Sequence, residues 1–515
     1  LTITLPDFCK DFEEALAIGY IPSTSFRSFR KDGAIPSFLK GMLKVLFSQE
    51  TGRLNDEPRA DFQLFPEIVG SVRQICLAFK KLEIECSPKR IADSIEAFVQ
   101  TERQLSELSL DRCDIDDFHR VASLLWAPIV SHISVEALVP THGPGATYEG
   151  LSGNRKYSWL YWHERLEEYF PFLENGYSVS SSLEREFEGV TFIPPAKELP
   201  VRVTPVPKTL KAPRIIAIEP VCNQYVQQGI RNELYARIES SSITAGHVNF
   251  TDQSVNRSLA LAASKDKSLA TIDLSEASDR VPHELALSMF SSNPPLMWLI
   301  DACRSRTAEL PDGRLIPLKK FASMGSALCF PVEAMYFYTC CVVSLLRIRQ
   351  LPVNLRNVRK VASEVFVYGD DIILPAHETV ETFVTLLKYN CKVNIRKSFW
   401  NGKFRESCGL DAYDGVEVTP TYVRRLCPNA LRQAQEIISW TETANHLYKR
   451  GYWRSASYMF SKVERIVGEL PYVSDNSPGL GRFSYLGYRT INRWNRRYQQ
   501  FEVTCLVPSP IYRTD

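Results

Sequence analysis

Hydrophobic and polar positions change their spacing along this chain in three stages. From residue 1 to about residue 200 the apolar positions recur at helical intervals between polar or Pro/Gly loops, and THGPGATYEG, Thr141 to Gly150, is the clearest of these breaks. Near Ile193 to Val206 prolines cluster (TFIPPAKELPVRVTPVP), which reads as a seam between subdomains. From Lys208 to about Pro420 short strand-like runs (RIIAI, LATID, VFVYGDD) alternate with helical stretches, the pattern of an α+β core. After Tyr422 the spacing turns helical again, to about Gln500. The longest apolar stretch, FPVEAMYFYTCCVVSLL, carries Glu333 in its interior and stops at Arg347, so it is predicted to be a buried helix rather than a membrane span. No repeat or low-complexity tract interrupts this order, which excludes solenoids and long disordered tails.

Composition adds bounds rather than a function. The 515 residues are 44% hydrophobic and 23% charged, enough for several subdomains with sizeable cores. A formal net charge of +2 argues neither for nor against a polyanionic partner, so any such site must come from local clusters. One cluster stands out: Tyr422 to Gln500 holds 13 Lys/Arg against 5 Asp/Glu. Within it YKRGYWRSASYMF and YLGYRTINRWNRRYQQF interleave aromatics with arginines, a mixture that suits RNA phosphates and exposed bases. An amphipathic helix with core aromatics and a charged outer face has the same composition. Thirteen cysteines without a CxxC spacing, and eight scattered histidines, argue against structural zinc; Cys340 and Cys341 suit a reducing compartment. The opening LTITLPDFCKDFEEAL has acids where a secretory leader has its basic region, so the chain is expected to be soluble and intracellular.

VFVYGDDIIL, Val365 to Leu374, poses the chemical question. Two strands apolar on both faces, with Gly369 and Asp370 in the tight turn, enclose adjacent aspartates, although bare buried carboxylates cost on the order of several kcal/mol each. SLATIDLSEASDRV supplies a third: a strand, Leu269 to Ile272, runs into Asp273, and a helix is predicted to begin near Ser275. Brought together, Asp273, Asp370 and Asp371 make a hard-oxygen pocket that favours divalent cations. Two Mg²⁺ ions (Mn²⁺ as a substitute) roughly 3.5–4 Å apart would activate a 3′-hydroxyl and stabilise a departing pyrophosphate. Asp273 and Asp370 are the expected bridging ligands, with Asp371 weaker or outside.

DLSEASD, the SMG of Ser323 to Gly325, and YGDD occur in the order and spacing of motifs A, B and C of RNA-dependent RNA polymerases. With VPKTLKAPRIIAIEP and FRESCGLDAYDGVEVTP, they make residues 200 to about 425 resemble the replicase catalytic subunit of the single-stranded RNA bacteriophages, the leviviruses. The resemblance implies a right-hand architecture of fingers, palm and thumb with an antiparallel palm sheet flanked by helices. It divides the chain into an N-terminal helical region with fingers (1–200), fingers with a basic motif (201–265), palm (266–420), and thumb with C-terminal region (421–515). It implies that Asp273, Asp370 and Asp371 bind metal and that Asp279 reads the ribose hydroxyl of the incoming nucleotide. It further implies that Lys208, Lys211 and Arg214 face the triphosphate. Lys397 in NIRKSFW falls in the motif D region, in position to protonate the leaving pyrophosphate. Ser323 and Gly325 open a small turn expected to let the backbone approach template and ribose. Cys329 stands where a Thr is usual and Glu333 where many polymerases keep Asn.

The partners implied are RNA template and product, nucleoside triphosphates, host elongation factors Tu and Ts and a host ribosomal RNA-binding protein, without a membrane, in the cytoplasm of a bacterial host. Two rivals remain. A reverse transcriptase would carry a bulky aromatic gate near the ribose, where this chain has Asp279. A non-catalytic RNA-binding scaffold would have no need of the three aspartates. HELAL at His283 lacks a zinc protease's second histidine, no Walker phosphate loop occurs, and HGPG at His142 reads as a turn.

Overall fold

Helices run along the chain as far as Val467 and most strands lie in its middle in the computed structural model, which describes residues 1–56, 63–176 and 189–509. The N-terminal part contains α1 (Thr4–Ile18), α2 (Leu64–Leu77), α3 (Pro88–Ser106) and α4 (Arg112–Val130). Pro88 opens α3 after an extended Ser87, using the one helical position where a missing N–H costs nothing. Phe118, Val121, Ala122, Leu125, Trp126 and Ile129 form the buried stripe of α4 at helical spacing.

The centre begins with β1 (Val201–Val206) and β2 (Arg214–Ile218), then α5 (Val221–Ser240), α6 (Ser254–Asp266) and β3 (Leu269–Ser275). After β4 (Thr307–Glu309) and β5 (Leu315–Pro317) come α7 (Cys329–Ile348), β6 (Phe366–Tyr368), β7 (Asp371–Pro375), α8 (Thr379–Lys388) and β8 (Lys392–Val393). A hairpin of β9 (Phe404–Ser407) and β10 (Leu410–Tyr413) follows. One four-stranded sheet runs β6-β7-β3-β8, antiparallel throughout. A second runs β2-β1-β4-β5, in which only the β1–β4 pair is parallel.

The last part of the proline cluster, Val201–Val206, is strand β1. Pro205 pairs with Ile215, and β4 reaches only Val201 and Arg202, so the missing Pro205 N–H falls where β1 has no second neighbour. Helix α7 is long and apolar enough to cross a membrane, but it is buried within the protein, as its sequence predicts. It packs on α4, where the Trp126 indole donates to Thr339, and on α8. Phe8, Phe12, Phe65 and Val72 of α1 and α2 share a core with Phe399, Phe404 and Tyr413, fastening the N-terminal helices beneath the central sheet.

Two helix predictions fail. Strand β3 continues through Ser275, which pairs with Lys392 of β8; a 3₁₀ turn at Ser278–Arg280 follows, and helix resumes at His283, after Pro282. Cross-strand pairing outweighs the capping preference of the serine. At the C-terminal end α9 (Ala434–Lys449) and α10 (Trp453–Val467) pack on each other. Past Val467 the described residues hold no helix, only the ribbon Arg493–Asn495 with Gln500–Glu502. Pro471, Pro478 and Gly479 break the helical spacing there. All thirteen cysteines are unpaired.

Candidate active site

The register of β3 against β7 sets Asp273 directly opposite Asp371, so two carboxylates far apart in the chain share one face of the sheet. Asp370 is exposed at the tip of the β6–β7 hairpin. Beside it Gly369 has φ +61°, and a Cβ there would run into the ring of Phe330, so the turn admits only glycine.

Both oxygens of Asp273 are already engaged. Lys397 Nζ lies 3.1 Å from Oδ1, and Asn394 Nδ2 donates to Oδ2 at 2.9 Å. The backbone N–H of Asp273 donates to Ser398 Oγ at 3.1 Å, so three side chains of one short segment after β8 hold this residue. Asp371 Oδ2 accepts the Cys408 N–H at 3.2 Å, from the tip of the β9–β10 hairpin.

Charge is unbalanced here. Burial, with the neighbouring Asp370, Glu406 and Asp273 carboxylates, pushes the Asp371 carboxyl up to about 8. Burial raises Asp273 as well, against the pull of Lys397. Burial disfavours the Lys397 ammonium, but Asp273 and Glu406 outweigh it and hold the lysine above its ordinary value. Three carboxylates, Asp273, Glu406 and Asp370, thus act on the Lys397 ammonium. Hard oxygen donors with excess negative charge fit a divalent cation, which would compensate what Lys397 alone does not. As they stand, no three Asp, Glu, His or Cys side chains among the described residues are gathered tightly enough to hold one ion.

A cavity of about 730 Å³ opens over this face. It brings Asp273, Asp370 and Lys397 together with Lys208, Lys211 and Arg214. Lys208 and Arg214 are exposed; Lys211 is also, with its ammonium 3.2 Å from Asp7 of α1. Asp279 lines the cavity too and accepts from Lys320 Nζ at 2.8 Å. Glu333 lies in the wall: burial, then Asp370 and Asp279, push its carboxyl well above the ordinary glutamate value. Cys329 Sγ is 3.8 Å from its Oε2.

Asp371, Ser323 and Gly325 lie outside the lining, and of the SMG turn only Met324 faces the cavity. Gly325 (φ +137°) does make a close backbone approach, but to Ala217 of β2, whose N–H donates to Met324 O at 2.8 Å. Ser323 Oγ is buried without a hydrogen-bond partner. His142 sits among the rings of Tyr157, Trp159 and Tyr225 with both nitrogens unpartnered, and burial lowers it to about 4. It is a neutral packing residue in its turn.

Residues 199–444 match the family of the RNA replicase, beta-chain. Curated relatives are similar over stretches of comparable length. The RNA-directed RNA polymerase subunit beta of Escherichia virus Qbeta is 38% identical over 220 residues, covering 42% of this chain and 34% of its own. The beta chain of Escherichia phage MS2 is 36% identical over 224 residues (44% and 38%), and that of Enterobacteria phage fr 34% over 220 (43% and 37%). The matched stretch therefore spans less than two-fifths of each relative's length. A solved RNA-dependent RNA polymerase of a human picorbirnavirus, an insertion-loop deletion mutant, overlaps 52% of this chain and 57% of its own at TM-score 0.34 and 9% identity, too slight a likeness to bear on the fold.

The matched segment contains every site residue expected from the sequence, from Lys208 to Lys397. Sequence reasoning missed Asn394 and Ser398, which flank Lys397 three positions before and one after, and Glu406 in FRES. It also missed Lys320, just before the SMG turn, and Glu102, which lies outside the matched segment altogether.

Proposed function

We propose that this chain is an RNA-directed RNA polymerase, the replicase catalytic subunit of a single-stranded RNA phage, adding nucleotides from triphosphates to an RNA 3′-hydroxyl. The observation that carries the reading is the cross-strand pair Asp273–Asp371 beside Asp370, under a cavity that also holds three exposed cations. The replicase match over residues 199–444 supports it independently.

Asp273 and Asp370 would hold two Mg²⁺ (Mn²⁺ as a substitute), with Asp371 behind them. When bound, the ions supply an activated 3′-hydroxyl and neutralise charge on the pyrophosphate. Lys208, Lys211 and Arg214 grip the triphosphate. Asp279 accepts the ribose hydroxyl, and Lys397, charged through its contact with Asp273, delivers a proton to the departing pyrophosphate oxygen. The central antiparallel sheet serves as palm within a right-hand arrangement, the N-terminal and 201–265 regions as fingers, and the segment from residue 421 as thumb. In that last segment Ala456, Met459 and Phe460 are buried, whereas Trp453, Tyr458, Tyr485, Tyr488, Trp494 and Tyr498 are exposed beside arginines, available for stacking on RNA. Elongation factors Tu and Ts and a ribosomal RNA-binding protein of the bacterial host are the proposed partners, in its cytoplasm.

The test is RNA synthesis by the purified chain on an RNA template with Mg²⁺ and the four ribonucleoside triphosphates, with and without bacterial extract. Template-dependent product is expected; none under either condition defeats the proposal.

A further inference from the structure

Lys320 is completely buried, yet it is a cation. Its Nζ lies 2.8 Å from Asp279 Oδ1 and 3.0 Å from Glu102 Oε1. The ammonium also sits 3.4 Å from the centre of the Phe98 ring. An ammonium taken this far from water is tolerated only when its partners replace its hydration, and here two carboxylates and an aromatic face do so. Glu102 and Phe98 both come from α3, outside the replicase-family segment.

The arrangement is directional. The Lys320 backbone is fixed separately from its side chain: it bridges to Pro282, the Phe321 N–H donates to Val281 O at 2.9 Å, and the His283 N–H donates to Lys319 O at 3.2 Å. The Lys319 N–H in turn donates to Glu102 Oε2 at 2.6 Å, which turns Oε1 toward Lys320. The ammonium therefore reaches Asp279 from a frame that does not depend on it. With Oδ1 of Asp279 engaged by Lys320 on the protein side, the other oxygen is left for a donor entering from the cavity that Asp279 lines.

We infer that Lys320 is a positioning residue for sugar selection: with Glu102 and Phe98 it holds the Asp279 carboxylate in the orientation that accepts the 2′-hydroxyl of the incoming nucleotide. The inference rests on the polymerase reading of the site. A site built to receive a hydroxyl rejects the analogue lacking it only while its acceptor is held in place. Without the ammonium, Asp279 and Glu102 become two uncompensated carboxylates and turn apart.

The measurement is the ratio of kcat/KM for CTP over dCTP on an RNA template, for the full chain under the conditions in which it makes RNA. Lys320→Met, which keeps the length of the side chain, is expected to lower that ratio about tenfold or more, mainly through faster dCTP use. Phe98→Leu leaves every polar contact in place but removes the ring under the ammonium, and should lower the ratio roughly threefold. It decides the matter should Lys320→Met fail to fold. A lysine that only staples α3 to the central region would slow both nucleotides alike, and an unchanged ratio in a folded variant overturns the inference. Absence of RNA synthesis by the unaltered chain is a different failure: it overturns the polymerase reading itself, and the inference with it.

Discussion

The Lys397 ammonium lies 3.1 Å from Oδ1 of Asp273, so an oxygen proposed to meet a metal ion is held by a cation already in place. Ammonium and metal compete for that oxygen. Lys397→Met should therefore lower the Mg²⁺ concentration needed for half-maximal synthesis. If Lys397 is the proton donor proposed above, the same variant should turn over ~10²–10⁴-fold more slowly at saturating Mg²⁺. A Mg²⁺ titration of steady-state rates reads both effects. An unchanged titration and turnover would reduce Lys397 to a surface lysine.

Asp370 tests the metal assignment most cleanly, because its exposed carboxylate makes no hydrogen bond among the described residues. Asp370→Asn should cut synthesis by more than about 100-fold, as loss of a ligand costs at least what loss of its supporting contacts does. Its melting temperature should barely move, and filter-retained RNA should stay within about twofold of the parent chain. Clear activity in this variant would remove Asp370 from the metal site.

The core of this site was legible because it breaks a rule. Aspartates inside VFVYGDDIIL contradict the apolar strands around them, and LATID ends in a third acid with no structural need for it. The register that pairs Asp273 with Asp371 was not legible, since strand partners are chosen by tertiary packing. Asn394 was hidden for the same reason: its partner is 121 positions away, and only the pairing of Ser275 with Lys392 brings them together. Lys320 and Glu102 are 218 positions apart, on elements whose local patterns carry no catalytic signature. The segment after Val467 misled in the opposite direction, because aromatics interleaved with arginines imitate an amphipathic helix where the chain forms turns and a short ribbon instead.

Gly325 packs the SMG turn against the backbone of β2. Its φ of +137° is strained for any other residue, and a Cβ there would strike the Ala217 carbonyl of β2, the strand that begins with Arg214. Gly325→Ala should destabilise the fold by more than about 2 kcal/mol and displace that strand. Thermal melting reads the first effect. A raised KM for all four nucleotides, larger than the change in kcat, reads the second. A variant with parental Tm and KM would show that the turn and β2 move independently.

Glu219 provides a pH dependence away from the metal site. It is fully buried, and burial pushes its carboxyl up to about 7 despite hydrogen bonds from Ser305, Gln227 and Asn223 and the charge of Arg304. The unfolded chain releases this proton near the ordinary glutamate value of 4.5, whereas the folded chain keeps it until about 7. Between those values the native state binds the extra proton, so its stability falls as pH rises. The contribution is complete below the unfolded value and lost above the folded one, and amounts to at most about 3 kcal/mol. Glu219→Gln keeps the shape of the protonated acid and should flatten this part of the profile, melting higher than the parent chain above about pH 7 and close to it near pH 5. Melting curves in a pH series for the two proteins provide the comparison, and parallel profiles would mean that Glu219 carries its charge in the folded chain without penalty.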